Sequence, residues 1–127
     1  MTLKSILLVD DSEADQLLAS IAVEQYDNDI LLYKAYDGAE ALHLLTVEKL
    51  KPSVIFLDIH MPGMDGHEFL KQYSTHRLDQ PVVVMLTSSI QDIDKQKCEQ
   101  YSFIKDYISK PLLAKYLDNI KSLLTLP

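Results

Sequence analysis

Hydrophobic positions along the chain alternate between short continuous runs and longer segments with helical spacing. The runs predict five β-strands, at Ser5–Val9, Ile30–Ala35, Val54–Leu57, Val82–Leu86 and Ile104–Ile108. Three of them are apolar almost throughout, which is typical of strands that are buried on both faces of a parallel sheet. Between the runs, apolar residues recur every three or four positions, as in Leu17, Leu18 and Ile21, which indicates amphipathic helices.

Four short motifs mark where helices begin. Each places Ser or Asp before the helix and an acidic residue three positions later, as in a capping box; they are Ser12-x-x-Asp15, Asp37-x-x-Glu40, Asp65-x-x-Glu68 and Ser89-x-x-Asp92. The last helix is predicted to run from about Leu112 to Leu126. Regular alternation of strand and helix favours right-handed βαβ crossovers, so the predicted fold class is α/β, with helices on both faces of a five-stranded parallel sheet.

In sheets of this class, ligands bind beyond the carboxyl ends of the strands. Polar residues stand at these ends: Asp10, Asp11, Asp58, Thr87, Ser88 and Lys110. Three carboxylates at one edge would raise one another's pKa unless a cation offset their charge. Mg²⁺ prefers such oxygen ligands, and Mn²⁺ is an alternative. One divalent cation and the Lys110 ammonium together would balance the three carboxylates.

This set of groups suits phosphoryl transfer. A carboxylate can act as the nucleophile and form an aspartyl phosphate, while a metal ion and an ammonium neutralise charge on the phosphoryl oxygens. A hydroxyl and a backbone N–H would complete the contacts to those oxygens. After Asp58, the residues Pro62 and Gly63 predict a turn, and Asp65 and Gly66 open the next helix.

Taken in order, these motifs resemble the receiver domain of two-component response regulators over essentially the whole chain. The resemblance rests on the acidic pair, the Asp58 loop with Met61-Pro62-x-x-Asp65-Gly66, Thr87, and Lys110-Pro111. It implies a flavodoxin-like, doubly wound (βα)5 fold with strand order 2-1-3-4-5.

The resemblance also implies roles for the acidic residues. Asp58 would accept the phosphoryl group. Asp10 and Asp11 would bind the metal ion together with Asp58 and the main-chain carbonyl of His60. Read from local chemistry alone, the acidic pair equally suits the positive end of a following helix, and the two interpretations are compatible.

At the fourth and fifth strands the resemblance implies phosphate binding and switching. Thr87, Ser88 and Lys110 would bind the phosphoryl oxygens, and the peptide bond to Pro111 is often cis in the family. Tyr107 would swing inward when Thr87 moves. An aromatic residue on this strand is otherwise an ordinary packing residue.

The implied function is a stand-alone receiver over residues 1–127 with no output domain. It would take a phosphoryl group from a sensor histidine kinase or a histidine phosphotransfer protein and signal to a downstream protein that the sequence does not identify. It would work as a monomer or as a dimer formed on phosphorylation. It would not be an enzyme in the ordinary sense, because it would catalyse only its own phosphorylation and dephosphorylation.

Composition narrows the range of partners. The formal net charge of −7 argues against nucleic acid, and no apolar stretch approaches the roughly 20 residues that span a bilayer. One cysteine, Cys98, cannot form an internal disulfide, and the first residues do not look like a signal peptide. A cytoplasmic location is therefore expected.

Two alternatives remain open. A pseudo-receiver would keep the fold as a binding module without being phosphorylated; its signature is loss of an acid, the hydroxyl or the lysine, and none is missing here. A phosphatase of the haloacid-dehalogenase type also uses an aspartyl nucleophile. That family has a second Asp two residues after the first, where this chain has His60.

Overall fold

The computed structural model of the chain describes residues 2–76, 81–88 and 90–125. The strands are β1 (Ser5–Val9), β2 (Leu31–Ala35), β3 (Val54–Leu57), β4 (Val82–Thr87) and β5 (Ile104–Ser109). The helices are α1 (Glu13–Tyr26), α2 (Gly38–Thr46), α3 (Gly66–His76), α4 (Asp92–Cys98) and α5 (Ala114–Thr125). Within these residues, no helix is both long enough and apolar enough to cross a membrane.

The five strands form one parallel sheet in the order β2-β1-β3-β4-β5, which confirms the predicted fold class and strand order. The register aligns the carboxyl ends of neighbouring strands. Val9 pairs with both Ala35 and Leu57, and Thr87 pairs with Ser109. The residues that follow these positions therefore meet at one edge of the sheet.

Two apolar layers cover the two faces of the sheet. On one face, Leu7 and Val9 pack in a cluster that includes Phe69 of α3. On the other, Ile6 and Leu8 pack in a cluster with residues of α1 and α5. Successive residues of β1 thus enter opposite layers, which explains why the strand is apolar without interruption.

Three of the four predicted helix starts are confirmed. Ser12 Oγ accepts a hydrogen bond from the backbone N–H of Asp15 at 3.2 Å, and an Oδ1 of Asp37 and of Asp65 caps α2 and α3 in the same way.

The fourth start was predicted wrongly. Helix α4 begins at Asp92 with Gln91 as the N-cap, and the Asp94 carboxylate accepts from the Gln91 backbone N–H at 3.3 Å. The predicted cap, Ser89, lies outside the described residues, as does Leu126. Helix α5 begins at Ala114, two residues later than predicted.

Candidate functional site

Two of the predicted acidic residues extend the sheet by one residue at its carboxyl edge. The backbone N–H of Asp10 donates to the carbonyl of Ala35, and that of Asp58 donates to the carbonyl of Val9, both at 3.0 Å. Asp10 is 1% exposed and Asp58 is 6% exposed. Asp11, the next residue after Asp10, is exposed to solvent.

These three aspartates form a candidate metal centre. One carboxylate oxygen from each of Asp10, Asp11 and Asp58 lies within 4.8 Å of the other two. Carboxylate oxygens are hard ligands, and two buried carboxylates beside an exposed one leave a side that is open to water. The donor set therefore fits a divalent cation of the Mg²⁺ or Mn²⁺ type.

Lys110 brings a positive charge to the same place. Its Nζ lies 2.7 Å from Asp10 Oδ2 and 2.9 Å from Asp58 Oδ2, and its side chain is only 12% exposed. Burial alone would lower the pKa of Lys110, but hydrogen bonds to the carboxylates raise it above its ordinary value. The lysine is therefore a permanent cation. Its peptide bond to Pro111 is cis.

A fourth carboxylate, Asp15, also contacts Lys110, with Oδ2 at 2.8 Å from Nζ. The sequence predicts only a helix-capping role for Asp15 and does not place it at this site. One available signal was the short connection between β1 and α1, because Val9 ends the strand and Glu13 begins the helix. The first turn of α1 must then stand at the same edge of the sheet.

The pKa of Asp10 is raised even though this residue forms an ion pair with Lys110. Burial raises its pKa, and the Asp58 charge adds to this effect. Hydrogen bonds from Lys110 and from the backbone N–H of Ser12 only partly offset it. The Ser12 N–H lies 2.9 Å from Asp10 Oδ1. Without a further cation, the carboxylate cluster carries an excess of negative charge.

Thr87 and Ser88 occupy the end of β4, next to the strand that carries Asp58. Thr87 is the last residue of β4 and is buried, while Ser88 is exposed. The backbone N–H of Lys110 donates to the Thr87 carbonyl at 2.9 Å. This bond ties the lysine to the strand end that carries the predicted phosphate-binding hydroxyl.

Tyr107 lies on β5, half-buried against the apolar layer between the sheet and α3. It pairs with Met85, and Thr87 pairs with Ser109, so Tyr107 and Thr87 share one face of the sheet. The Nζ of Lys95, on α4, lies 5.2 Å from the centre of the Tyr107 ring. This contact links Tyr107 on β5 to α4.

The loop after Asp58 turns sharply and packs back on Asp58 itself. His60 and Pro62 are exposed, and Gly63 has a φ of 72°, which favours glycine. The Gly66 N–H donates to the Ile59 carbonyl at 2.8 Å. A Cβ on Gly66 would lie 2.5 Å from the Asp58 carbonyl oxygen. Glycine is needed here because the start of α3 touches the Asp58 backbone.

Another buried carboxylate lies away from this cluster, at the start of α4. Asp94 Oδ1 is 2.8 Å from His67 Nε2 on α3. The hydrogen bond from His67 lowers the pKa of Asp94; burial opposes this shift and the Gln91 N–H supports it. Sequence patterns gave no signal for this pair, because its members are distant along the chain.

Comparison with known proteins shows which family the chain is similar to. Residues 6–120 match the family described as response regulator receiver domain. A two-component response regulator from Cytophaga hutchinsonii is 27% identical with a TM-score of 0.86, over 98% of each chain.

Two further solved structures are similar. The phosphorylated cyanobacterial phytochrome response regulator RcpA is 29% identical with a TM-score of 0.76, over 94% of this chain and 90% of that one. The Mn²⁺-bound form of response regulator Rcp1 is 28% identical with a TM-score of 0.75, over 95% of this chain and 91% of that one.

Proposed function

The chain belongs to the response regulator receiver domain family, and on this premise we propose that it accepts a phosphoryl group on Asp58. The donor is the phosphohistidine of a sensor histidine kinase or of a histidine phosphotransfer protein, and the reaction depends on Mg²⁺. One observation carries the proposal. Asp58 is a nearly buried carboxylate, held between the Lys110 ammonium and two other carboxylates that suit a divalent cation.

In the transfer step, a carboxylate oxygen of Asp58 forms a bond to phosphorus. The bond from phosphorus to the donor's imidazole nitrogen breaks, and its electron pair stays on that nitrogen. Lys110, the Thr87 hydroxyl and the Ser88 backbone N–H donate to the phosphoryl oxygens as negative charge develops on them. Asp10, Asp11, Asp58 and the His60 carbonyl would hold Mg²⁺, which supplies further charge neutralisation when bound.

The same residues remove the phosphoryl group. Water attacks phosphorus, the bond to the Asp58 oxygen breaks, and inorganic phosphate and the free carboxylate result. The chain therefore acts on its own aspartate rather than on a separate substrate, and in this sense it is not an enzyme.

Phosphorylation would act as a switch through Thr87 and Tyr107. A phosphoryl group on Asp58 offers the Thr87 hydroxyl a new acceptor, which favours one of two pre-existing conformations. Because Tyr107 contacts Lys95 of α4, movement of Tyr107 would alter the surface near that helix. The readout is contact with another protein, by a monomer or by a dimer formed on phosphorylation.

The partner is a protein rather than DNA, because a formal net charge of −7 gives no general attraction to phosphates. We place the reaction in the cytoplasm. Cys98 is free and buried, as expected of a protein that does not depend on an oxidising compartment.

The two alternatives are less well supported. A pseudo-receiver would lack an acid, the hydroxyl or the lysine, whereas Asp10, Asp58, Thr87 and Lys110 all stand at one edge of the sheet. A dehalogenase-type phosphatase would have an aspartate where His60 stands, and His60 is an exposed residue.

Incubation with acetyl phosphate, with and without Mg²⁺, followed by intact mass measurement, tests the proposal. We expect one phosphoryl adduct that requires Mg²⁺, is absent in Asp58→Asn and persists in Asp29→Asn, a matched change of an exposed aspartate. An adduct that persists in Asp58→Asn, or no adduct on the wild type, would refute phosphorylation of Asp58. Rapid turnover of many phosphate esters would instead favour the phosphatase.

A further inference from the structure

We infer that Asp15 is a positioning residue for Lys110. Its carboxylate tethers the lysine ammonium to α1 while the lysine's contacts with Asp10 and Asp58 give way to a metal ion and a phosphoryl group. The inference rests on the proposed function, and it adds to the site a residue that the three-carboxylate set does not include.

The Lys110 ammonium contacts three carboxylates. A lysine ammonium has three N–H groups, and three carboxylate oxygens lie 2.7, 2.8 and 2.9 Å from Lys110 Nζ. Two of them belong to Asp10 and Asp58, which the proposed reaction engages with the metal ion and the phosphoryl group. The third belongs to Asp15, which lies outside the cluster formed by Asp10, Asp11 and Asp58. Asp15 is thus the partner that the reaction leaves in place.

The hydrogen bonds at the start of α1 explain why the Asp15 carboxylate is available to contact Lys110. In a capping box, the acidic residue three positions after the N-cap accepts from the N-cap backbone N–H. Here the Ser12 N–H donates to Asp10 Oδ1 at 2.9 Å instead. Ser12 Oγ still accepts from the Asp15 N–H, which fixes the Asp15 backbone in the first turn of α1. The Asp15 carboxylate is therefore free to reach Lys110, and the positive end of the helix stabilises its charge.

Lys110 must exchange one of its hydrogen-bond partners during the proposed reaction. To bind a phosphoryl oxygen, it must redirect the N–H that now points at Asp58 Oδ2. With Asp15 in place, one hydrogen bond persists and the ammonium only pivots. Without Asp15, both remaining partners would be groups whose contacts change. A tether of this kind reduces the reorganisation that accompanies the transfer.

If Asp15 acts through its charge, two variants of this residue should behave differently from the way they behave if it acts through its position. Four carboxylates against one lysine and one divalent cation leave an excess negative charge, so Asp15 does not help by neutralising the site. If only its charge mattered, Asp15→Asn and Asp15→Ala would behave alike. If position matters, the Asn variant retains function, because its amide oxygen still accepts a hydrogen bond from the ammonium.

The kinetic test compares rates of phosphorylation by acetyl phosphate at saturating Mg²⁺. We expect Asp15→Ala to be about 10-fold slower than wild type, as for loss of one charge-assisted hydrogen bond that orients a reacting group. Asp15→Asn should stay within about 3-fold of wild type. Glu13→Gln, which removes an exposed charge from the same helical turn, is the control and should not differ from wild type. Equal rates for the Ala variant and wild type, or equal losses in the Ala and Asn variants, would overturn the inference.

A second test does not depend on phosphorylation. In the metal-free protein, the side-chain ¹H–¹⁵N signal of the Lys110 ammonium reports how slowly its protons exchange with water. We expect a visible signal in wild type, Glu13→Gln and Asp15→Asn, and a broadened or absent one in Asp15→Ala. An unchanged signal in Asp15→Ala would contradict the tether. If the wild type accepts no phosphoryl group, the proposed function fails, but this measurement still decides whether Asp15 holds Lys110.

Discussion

Asp10 and Asp94 are both buried carboxylates, one just before α1 and the other in the first turn of α4, yet their surroundings have opposite effects. Burial raises the pKa of Asp10, and its contacts with Lys110 do not overcome this. The hydrogen bond from His67 lowers the pKa of Asp94, despite burial. The difference lies in how many carboxylates share one hydrogen-bond donor. Lys110 contacts three carboxylates, whereas the described part of the chain gives His67 one carboxylate partner, Asp94.

This contrast separates a functional region from a structural one. At α4, one carboxylate has its own side-chain hydrogen-bond partner, His67, and the contact joins α3 to α4. At the carboxyl edge of the sheet, negative charge exceeds positive charge. Ionisable groups whose pKa values are shifted in this way are typical of functional sites. The protein's own cations do not neutralise all of the negative charge at this edge. A metal-dependent phosphoryl acceptor needs this property.

The largest expected effect comes from removing the shared cation. Lys110→Met should lower the free energy of unfolding by about 3 kcal/mol without divalent metal, because it leaves buried carboxylates without their counter-charge. Added Mg²⁺ should restore part of the loss. Urea unfolding with and without Mg²⁺ measures both effects, with Lys121→Met, at an exposed position, as the control. If metal-free Lys110→Met were as stable as metal-free wild type, the carboxylates at this edge would not need the Lys110 charge.

A smaller loss is expected at Asp94, whose hydrogen-bond partner His67 is not shared among several carboxylates as Lys110 is. Asp94→Asn should reduce the free energy of unfolding by about 1–2 kcal/mol, since it weakens a charged hydrogen bond and the start of a helix. The lowered pKa of Asp94 means that its ionised form stabilises the fold above the ordinary value of 3.8. This stabilisation should fade as the pH falls below that value, and Mg²⁺ should not affect it. An Asn variant as stable as wild type near neutral pH would remove the contrast between the two regions.

The smallest effect should have the opposite sign. Asp10→Asn should raise the metal-free stability by about 1 kcal/mol, because it removes a buried charge that its partners do not fully compensate. The raised pKa means that wild type loses stability relative to this variant as the pH rises from 3.8 through the folded-state pKa. Unfolding curves of both proteins across this pH range test the sign. A variant that is less stable than wild type at neutral pH would contradict our account of the edge.

Much of the architecture could be predicted from the sequence. The bounds of β1 and β3 are as predicted, while β2 begins one residue later and β4 and β5 each extend one residue further. Continuous apolar runs are a strong signal when a strand is buried on both faces. The polar residues that follow these runs meet at one edge because parallel strands end together.

The errors have a common physical cause. Asp15 and Asp94 both follow a helix N-cap by three residues, and local capping rules give such an acid a local role. Asp15 instead reaches Lys110, which is 95 residues away in sequence. The start of α4 was predicted at Ser89, but Asp94 is the acid that both caps the helix and contacts His67. In both cases the carboxylate has a side-chain partner that is distant in sequence, Lys110 or His67, and a local motif carries no information about such a partner.

Among the acidic residues of this edge, we propose that Asp58 carries the phosphoryl group. After treatment with acetyl phosphate and Mg²⁺, borohydride reduction converts an aspartyl phosphate into homoserine, and peptide mass spectrometry locates the altered residue. Our account predicts homoserine at position 58 alone, and none when Mg²⁺ is withheld. Conversion at Asp10, Asp11 or Asp15, or no conversion at Asp58, would contradict it.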